Sequence, residues 1–463
     1  MFLAPGPAPE ERKSFFKRAL QFMGLGSLGV TLFLVALGAY VATEYFAASP
    51  EKLFHRVWQV APGFAYDPSQ MKDWDQWEHK FDGKIKTEED AVRYANEMLD
   101  SLKDPFTHYH SREEVQAMRQ EMSGTFAGIG VGLGYKADED GKPVLDKSGE
   151  VLPQTNAAGY PVIDKVFDDG PAGKAGMKAG DAIKSANGVD LKDKSLKDIV
   201  KELKGKPGTP VTLVVESAGV ERKLDIVRGV VNSPAVLTKR YGDVGYIALS
   251  SFEQDDTIEE MAGALKSMQD AKSLVIDLRG NPGGRVDICI NLVSLFLSEG
   301  DVVSIRNRVP FGSYSKTTYR LLKDRMVVEE LDEADGTTST KVQQRYADLT
   351  AGKKIVLLVN GHSASASEMF TGALKDNNRV TVIGEKTFGK GIGQLFMPMP
   401  NGTVLRITTL RYFTPNGTWV GDGSAAHHGI EPHHTVVPGK GFRPGTPTDN
   451  QLDFALKFLN QDN

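Results

Sequence analysis

The chain has 463 residues, 40% of them apolar and 25% charged, and a net charge of −5. That is room for about two or three globular domains, and the slight acidic balance offers no basic field to nucleic acid. Its one cysteine, Cys289, excludes an internal disulfide framework and cysteine-cluster zinc sites; it lies in the apolar run 286–297 and reads as a small buried core residue.

From residue 19 to 43 the chain carries no charge and is rich in Leu, Val, Phe, Gly and Ala. As a helix, about 25 residues would reach roughly 37 Å, enough to cross a hydrocarbon layer of about 30 Å. Arg12, Lys13, Lys17 and Arg18 precede it and Glu44 follows. This flank predicts a transmembrane signal anchor, with residues 1–18 cytoplasmic and everything after Glu44 on the periplasmic or extracytoplasmic side. A signal peptide cleaved near Phe46-Ala47-Ala48 is the rival reading. Missing disulfides do not contradict export, because a domain this large can build its own core.

Residues 50–122 read as a polar, mainly helical region. Ala91, Tyr94, Ala95, Met98, Leu99 and Leu102 recur at helical spacing, and Asp104-Pro105-Phe106-Thr107 stops that helix. The texture then changes, and 123–232 reads as one compact, glycine-punctuated unit. Gly128-Ile129-Gly130-Val131-Gly132-Leu133 suggests a strand entered through a glycine loop. Strands are expected at 162–166, 211–216 and 224–227, and a hairpin at Asn187-Gly188. Residues 195–203 form a short amphipathic helix with a serine N-cap.

Over 233–445 the rhythm becomes strand, turn, helix. The apolar runs 244–249, 274–278 and 355–359 are strands of a layered α/β core. A polar insertion at 306–346 reads as a surface excursion with helical potential over 319–331. Residues 446–463 close the chain with a short helix.

Within the core, Gly361-His362-Ser363-Ala364-Ser365-Ala366-Ser367-Glu368 is followed by Gly384-Glu385-Lys386-Thr387-Phe388-Gly389-Lys390-Gly391-Ile392-Gly393-Gln394. A serine hydroxyl is a poor nucleophile until a base takes its proton. Lysine can be that base if its pKa moves from about 10.4 towards 7–8. Three units correspond to roughly 4 kcal/mol, which a dry apolar site can supply. Phe388 and Ile392 flank Lys390, and Gln394 could hold the amine by hydrogen bonding without adding charge. Ser365 at a helix start would place the Ala366 amide where negative charge is favoured. Asp277-Leu278-Arg279-Gly280-Asn281-Pro282-Gly283-Gly284, after a buried strand, exposes the unhindered amides of Gly283 and Gly284 as a second donor. Neither a G-x-S-x-G elbow nor a P-loop is present. On residue types alone, a serine-rich helix start and a solvated loop lysine remain an open alternative.

These segments, with Leu102–Thr107 and Arg411-Tyr412-Phe413-Thr414-Pro415, closely resemble the C-terminal processing peptidases, also called tail-specific proteases. The resemblance covers most of the chain between about 52 and 437. It implies a crotonase-like α/β peptidase core of βαβ layers with an inserted PDZ domain at 123–232. It also implies Ser365 as nucleophile, Lys390 as base, Gln394 as its orienting group, and Ala366 with Gly283 or Gly284 as the oxyanion hole. No metal or cofactor is implied. The PDZ domain would take a nonpolar substrate C-terminus, its carboxylate on the amides of Gly128, Ile129 and Gly130. Its extended chain would lie along the strand from Val131, against a helix wall bearing Ile199 and Leu203. Since the PDZ domain can gate activity in this family, Arg228, where the unit returns to the core, is a candidate relay residue.

Two features depart from the family. Gly429-Ile430-Glu431-Pro432-His433 stands where G-I-x-P-D is usual, and His427, His428, His433, His434, Glu431 and Asp422 crowd there, so that a metal site is conceivable beside the simpler reading of exposed loop histidines. The insertion 306–346 is longer than expected. The alternative functions are a membrane-anchored PDZ scaffold that binds tails without proteolysis, and an acyl-transfer or hydration enzyme on a related core. A homo-oligomer or an adaptor protein as partner is left open.

Overall fold

Residues 48–461, apart from 123–124, 137, 139–143, 168, 311, 351, 425, 441 and 443, are described by a computed structural model. The anchor expected at 19–43 lies outside the described residues, and among those described no helix is long and apolar enough to cross a membrane. The described chain divides into two compact units, 48–116 with 394–409, and 117–393 with 410–461.

The first unit is built on two helices, Pro50–Phe64 and Glu88–Asp100. Ser49 caps the first by accepting from Lys52 N–H, and Thr87 and Asp90 form a reciprocal capping box on the second. Their apolar faces meet through Leu53, Phe54, Val57, Ala91, Ala95, Met98 and Leu99. The returning segment adds Met399, Leu405 and Ile407 to this core. Its residues 404–406 pair antiparallel with the short strand His108–His110.

In the second unit the expected core sheet is present. Val236–Tyr241 pairs antiparallel with Val244–Leu249, and parallel pairing then runs through Ser273–Asp277, Lys354–Val359, Thr381–Gly384 and His434–Thr435. The central strands are apolar along their whole length because both faces are covered. Leu274, Ile276, Ile355 and Leu357 face the cluster with helices Thr257–Ser267, Val286–Ser294 and Ala366–Asp376. Val275, Val356 and Leu358 face the helix Asn450–Asn460 instead. Cys289 is fully buried in the first cluster, as its sequence context predicts.

The insertion differs from expectation. Over 319–331 there is no helix but a hairpin: Tyr314–Leu321 and Met326–Asp332 pair antiparallel, with Thr338–Gln343 beyond. These strands extend Gly300–Arg308, which itself pairs with residues 410–413. Lys, Arg, Glu and Leu at high density read as helix formers. The period-two burial of Met326 and Val328 is what the strand uses.

An ionic cluster joins the core strands to the closing helix. Arg279 contacts Asp277 at 2.6 Å and Asp449 at 2.7 Å, with all three side chains at least 95% buried. Gln451 Oε1 accepts from Arg279, and Tyr246 donates to Asp277. Asp449 also caps Asn450–Asn460 through Leu452 N–H. Burial pushes the Asp449 carboxyl up, but the bonds from Arg279 and Leu452 outweigh it and hold it below the ordinary aspartate value. A lowered folded pKa stabilises fully above the unfolded value and is lost as pH falls through the folded one. Asp449→Asn is therefore expected to cost about 2–4 kcal/mol at pH 7. The gap to wild type should shrink below about pH 4. Urea unfolding of both proteins at pH 7, 5 and 3.5 checks this, and an unchanged gap at the lowest pH would refute the ionic account.

Candidate active site

Three segments leave the carboxyl ends of neighbouring parallel strands: 278–284 after Ser273–Asp277, 360–365 after Lys354–Val359, and 385–390 after Thr381–Gly384. In open α/β sheets this is where ligands bind. Polar bonds fasten the first two segments together. Ser363 Oγ donates to Leu278 O at 2.8 Å, Ser367 Oγ donates to Asn281 O at 2.9 Å, and Ala364 N–H donates to Asn281 O at 3.0 Å. Ser363 and Ser367 are fully buried and occupied in this way. Ser365, between them, is half-buried and N-caps the helix Ala366–Asp376 with φ 55° and ψ −115°. A non-glycine residue held there is strained by about 1–3 kcal/mol and persists only because its surroundings fix it.

Glu368 is the group that joins this segment to the third. Its fully buried carboxylate accepts from Ser365 N–H at 3.0 Å and Lys390 N–H at 2.8 Å on one oxygen. The other oxygen accepts from Gly389 N–H at 2.7 Å and Thr387 Oγ1 at 2.6 Å. Burial raises its pKa while these four donors pull it down, and the net direction is upward. With four donors converging on it, only the ionised form satisfies the arrangement. On the far side the Tyr412 hydroxyl lies 2.8 Å from Ser365 O and 2.9 Å from Lys390 O, sharing one proton between two carbonyls. The main chains of Ser365 and Lys390 are thus gripped by the same carboxylate and the same phenol.

Gly283 is pressed against this point. A Cβ there would fall 2.6 Å from Ala364 O and 2.8 Å from both Ala366 N and Ser365 Cβ, and its φ is +100°. Only glycine fits. Its amide, however, donates to Asn281 Oδ1 at 2.9 Å, which corrects the expectation that Gly283 offers a donor. Gly283 O accepts from Phe252 N–H and Phe252 O accepts from Arg285 N–H. The Gly284 amide takes part in neither bond and is the better candidate. The Ala366 N–H begins a helix and has no intrahelical acceptor.

Lys390 is half-buried, and its neighbours Gly391 and Gly389 pack against Trp419 and the 420–429 loop. Phe388 N–H donates to Ser363 O; of the two apolar residues flanking Lys390, Ile392 is buried and Phe388 half-buried. Gln394 belongs to the first unit, where its amide donates to Thr408 Oγ1 at 3.2 Å.

In the unit 123–232 the strand Val131–Leu133 pairs on one edge with Ile163–Val166. Gly128 lies against the carboxyl end of the helix Leu196–Leu203, 3.6 Å from Leu203 O when given a Cβ. The glycine segment and the end of this helix are therefore neighbours. Ile129, Ile199 and Leu203 are core residues, with Ile199 fully buried. For Ile199 and Leu203 this corrects the expected place on the groove wall, since Val131, Leu196 and Val200 are the half-buried ones. Arg228 is 92% buried and donates to Leu203 O at 3.0 Å, Glu202 O at 2.7 Å and Pro210 O at 3.0 Å. It satisfies the orphan carbonyls at that helix end, a structural role that the relay reading did not include.

The histidine-rich segment is dispersed. His427 Nδ1 lies 3.0 Å from Phe388 O, His433 Nδ1 accepts from Val382 N–H, and His434 packs on Phe454 and Phe458. Among the described residues these histidines do not form a donor cluster. Sequence reasoning missed the roles of Glu368 and Tyr412, although both lie inside motifs it singled out. The three-residue step from Ser365 to Glu368 is a capping-box signal.

Residues 243–436 match peptidase family S41, and residues 162–217 match a PDZ domain. A carboxy-terminal-processing protease of Bartonella bacilliformis is 35% identical over 331 residues, covering 70% of this chain and 65% of that protein. A Staphylococcus aureus protein named "Probable CtpA-like serine protease" is 32% identical over 340 residues, covering 73% of this chain and 58% of that protein. The chain spans less than two thirds of the length of either relative. Among solved structures, the photosystem II D1 C-terminal processing protease superposes with a TM-score of 0.48 at 25% identity, covering 85% of this chain and 94% of that one.

Proposed function

The chain belongs to peptidase family S41, with a PDZ domain ahead of its core, and from that premise we propose a serine endopeptidase that captures nonpolar protein C-termini and cuts near them. One observation carries the reading: the Glu368 carboxylate and the Tyr412 hydroxyl hold Ser365 and Lys390 together by their main chains. Two side chains so fixed can exchange a proton without first paying the entropy of finding each other.

In the proposed reaction an uncharged Lys390 takes the proton of Ser365 as its Oγ attacks the peptide carbonyl. The amides of Ala366 and Gly284 receive the oxyanion. Lys390 then protonates the leaving amine, and water releases the acyl-enzyme. The groove between Val131–Leu133 and Leu196–Leu203 takes the substrate tail by strand addition. Residues 19–43 would anchor the protein, with this chemistry on the extracytoplasmic side.

Peptides of one sequence, ending in either alanine or aspartate, test the reading together with a serine-reactive peptide probe. Cleavage at least about tenfold faster for the nonpolar tail is expected, with a covalent adduct at Ser365. If the nonpolar tail binds but is not cut and Ser365 stays unlabelled, the tail-binding scaffold replaces the protease.

A further inference from the structure

The short strand before the helix Arg112–Met122 carries a cluster that the peptidase reading does not use. Residues 108 and 110 are two apart on the strand His108–His110, so both imidazoles leave the same face. Their ring centroids are 4.7 Å apart. Glu114, in the first turn of the helix, completes the group. Its Oε1 lies 3.9 Å from His108 Nε2 and its Oε2 lies 3.7 Å from His110 Nδ1. One ligand atom from each residue can be chosen so that all lie within 4.8 Å of one another.

Three further details favour a bound cation. Glu114 is fixed at its place because Oε2 accepts from Ser111 N–H at 2.7 Å, closing a capping box that leaves Oε1 turned towards His108. His110 is 92% buried, yet its Nε2 has no hydrogen-bond partner among the described residues. Among the described residues the hydrogen bond to the His108 ring is a long one, 3.4 Å from Asn96 Nδ2 to the Nε2 that faces Glu114. Arg406, the cross-strand partner of His108, is engaged on Phe106 O, to which its Nε donates at 2.8 Å.

We propose that His108, His110 and Glu114 form a zinc site that staples the end of the strand to the first turn of the helix. Two imidazole nitrogens and one carboxylate oxygen are a donor set that zinc takes readily, with water completing a tetrahedron. Around a tetrahedral zinc, donor atoms stand roughly 3.3 Å apart. The present separations need close by only a fraction of an ångström to about an ångström and a half. The ion adds a tie between the strand and the first turn of the helix beside the capping box, and it has no part in the Ser365 chemistry.

The test uses the full chain without an affinity tag, stripped with chelator and titrated with zinc chloride against a competing chromophoric chelator. One zinc per chain at micromolar affinity or tighter is expected, and zinc should raise the melting temperature while magnesium does not. His108→Ala, at the less buried of the two histidines, and Glu114→Gln, which keeps a capping acceptor, should each weaken binding at least about tenfold and abolish the thermal shift. His79→Ala, at the separate His79–Asp82 pair in the same unit, should change neither. Equal zinc affinity in wild type, His108→Ala and Glu114→Gln would overturn the site, as would binding that is lost with His79.

Discussion

Ser365→Ala is expected to lower turnover of a nonpolar-tailed peptide by at least about 10⁴-fold while leaving tail binding unchanged. The substitution removes one hydroxyl and keeps the Cβ that packs against Gly283, so the strained turn and its bonds to 278–281 have no reason to move. Lys390→Ala should cost about as much, and the double variant little more, because nucleophile and base act as one unit. Lys390→Arg is the sharper control: it keeps length and charge but cannot give up its proton at any working pH. Steady-state cleavage, a tail-peptide binding isotherm and probe labelling together separate the outcomes. Full activity of Ser365→Ala would remove the nucleophile assignment, and activity of Lys390→Arg would remove the base.

Glu368→Gln is expected to reduce kcat by roughly 10²–10³-fold with little change in KM or tail binding. The carboxylate meets four donors and the carboxamide can accept on only one end, so its NH₂ must face at least one N–H or O–H already there. The main chain of Lys390 or of Ser365 then moves, and a shift of about an ångström suffices for such a loss. Glu368→Ala goes further, stranding the Thr387 hydroxyl and three amides, and should also cost roughly 3–5 kcal/mol of stability. Tyr412→Phe removes the shared donor on the other side and should have a milder effect, about tenfold on kcat. Comparing kcat, KM and urea midpoints for the three variants distinguishes positioning from folding. An unimpaired kcat in Glu368→Gln would show that the carboxylate holds the loop without holding the chemistry.

The layered core was legible because its strands are long apolar runs with turn residues after them; 244–249, 274–278 and 355–359 each stand within one residue of an observed strand. The PDZ-type unit was legible for a similar reason, from glycines, Asn187-Gly188 and the serine cap of Leu196–Leu203. What failed were partnerships made by tertiary contact. Glu368 reads as an ordinary acid in the first turn of a helix; its bonds to Thr387, Gly389 and Lys390 cross 19 to 22 residues of chain. Gly283 has the right residue type for an amide donor, but the bond from that amide to Asn281 exists only in the folded turn. Ile199 has the right spacing for a groove wall, yet spacing does not say whether an apolar side chain faces a ligand or the core. The hairpin at 314–332 was misread because its exposed faces are filled with charged residues of high helix propensity.

The buried cluster around Arg279 has a consequence for the order in which the molecule is made. Arg279 and Asp449 are 170 residues apart in the chain. At about 5–20 residues per second, Asp449 leaves the ribosome roughly 10 to 30 s after Arg279. Through that interval the guanidinium that steadies the turn before Gly283 and Gly284 has Asp277 but not its second carboxylate, and the helix that would bury it does not yet exist. The turn is therefore completed late in synthesis, well after Ser365 and Lys390 have emerged. Such a delay would leave the proposed site incomplete until the end of the chain has been made, with the protein's own translation serving as the timer.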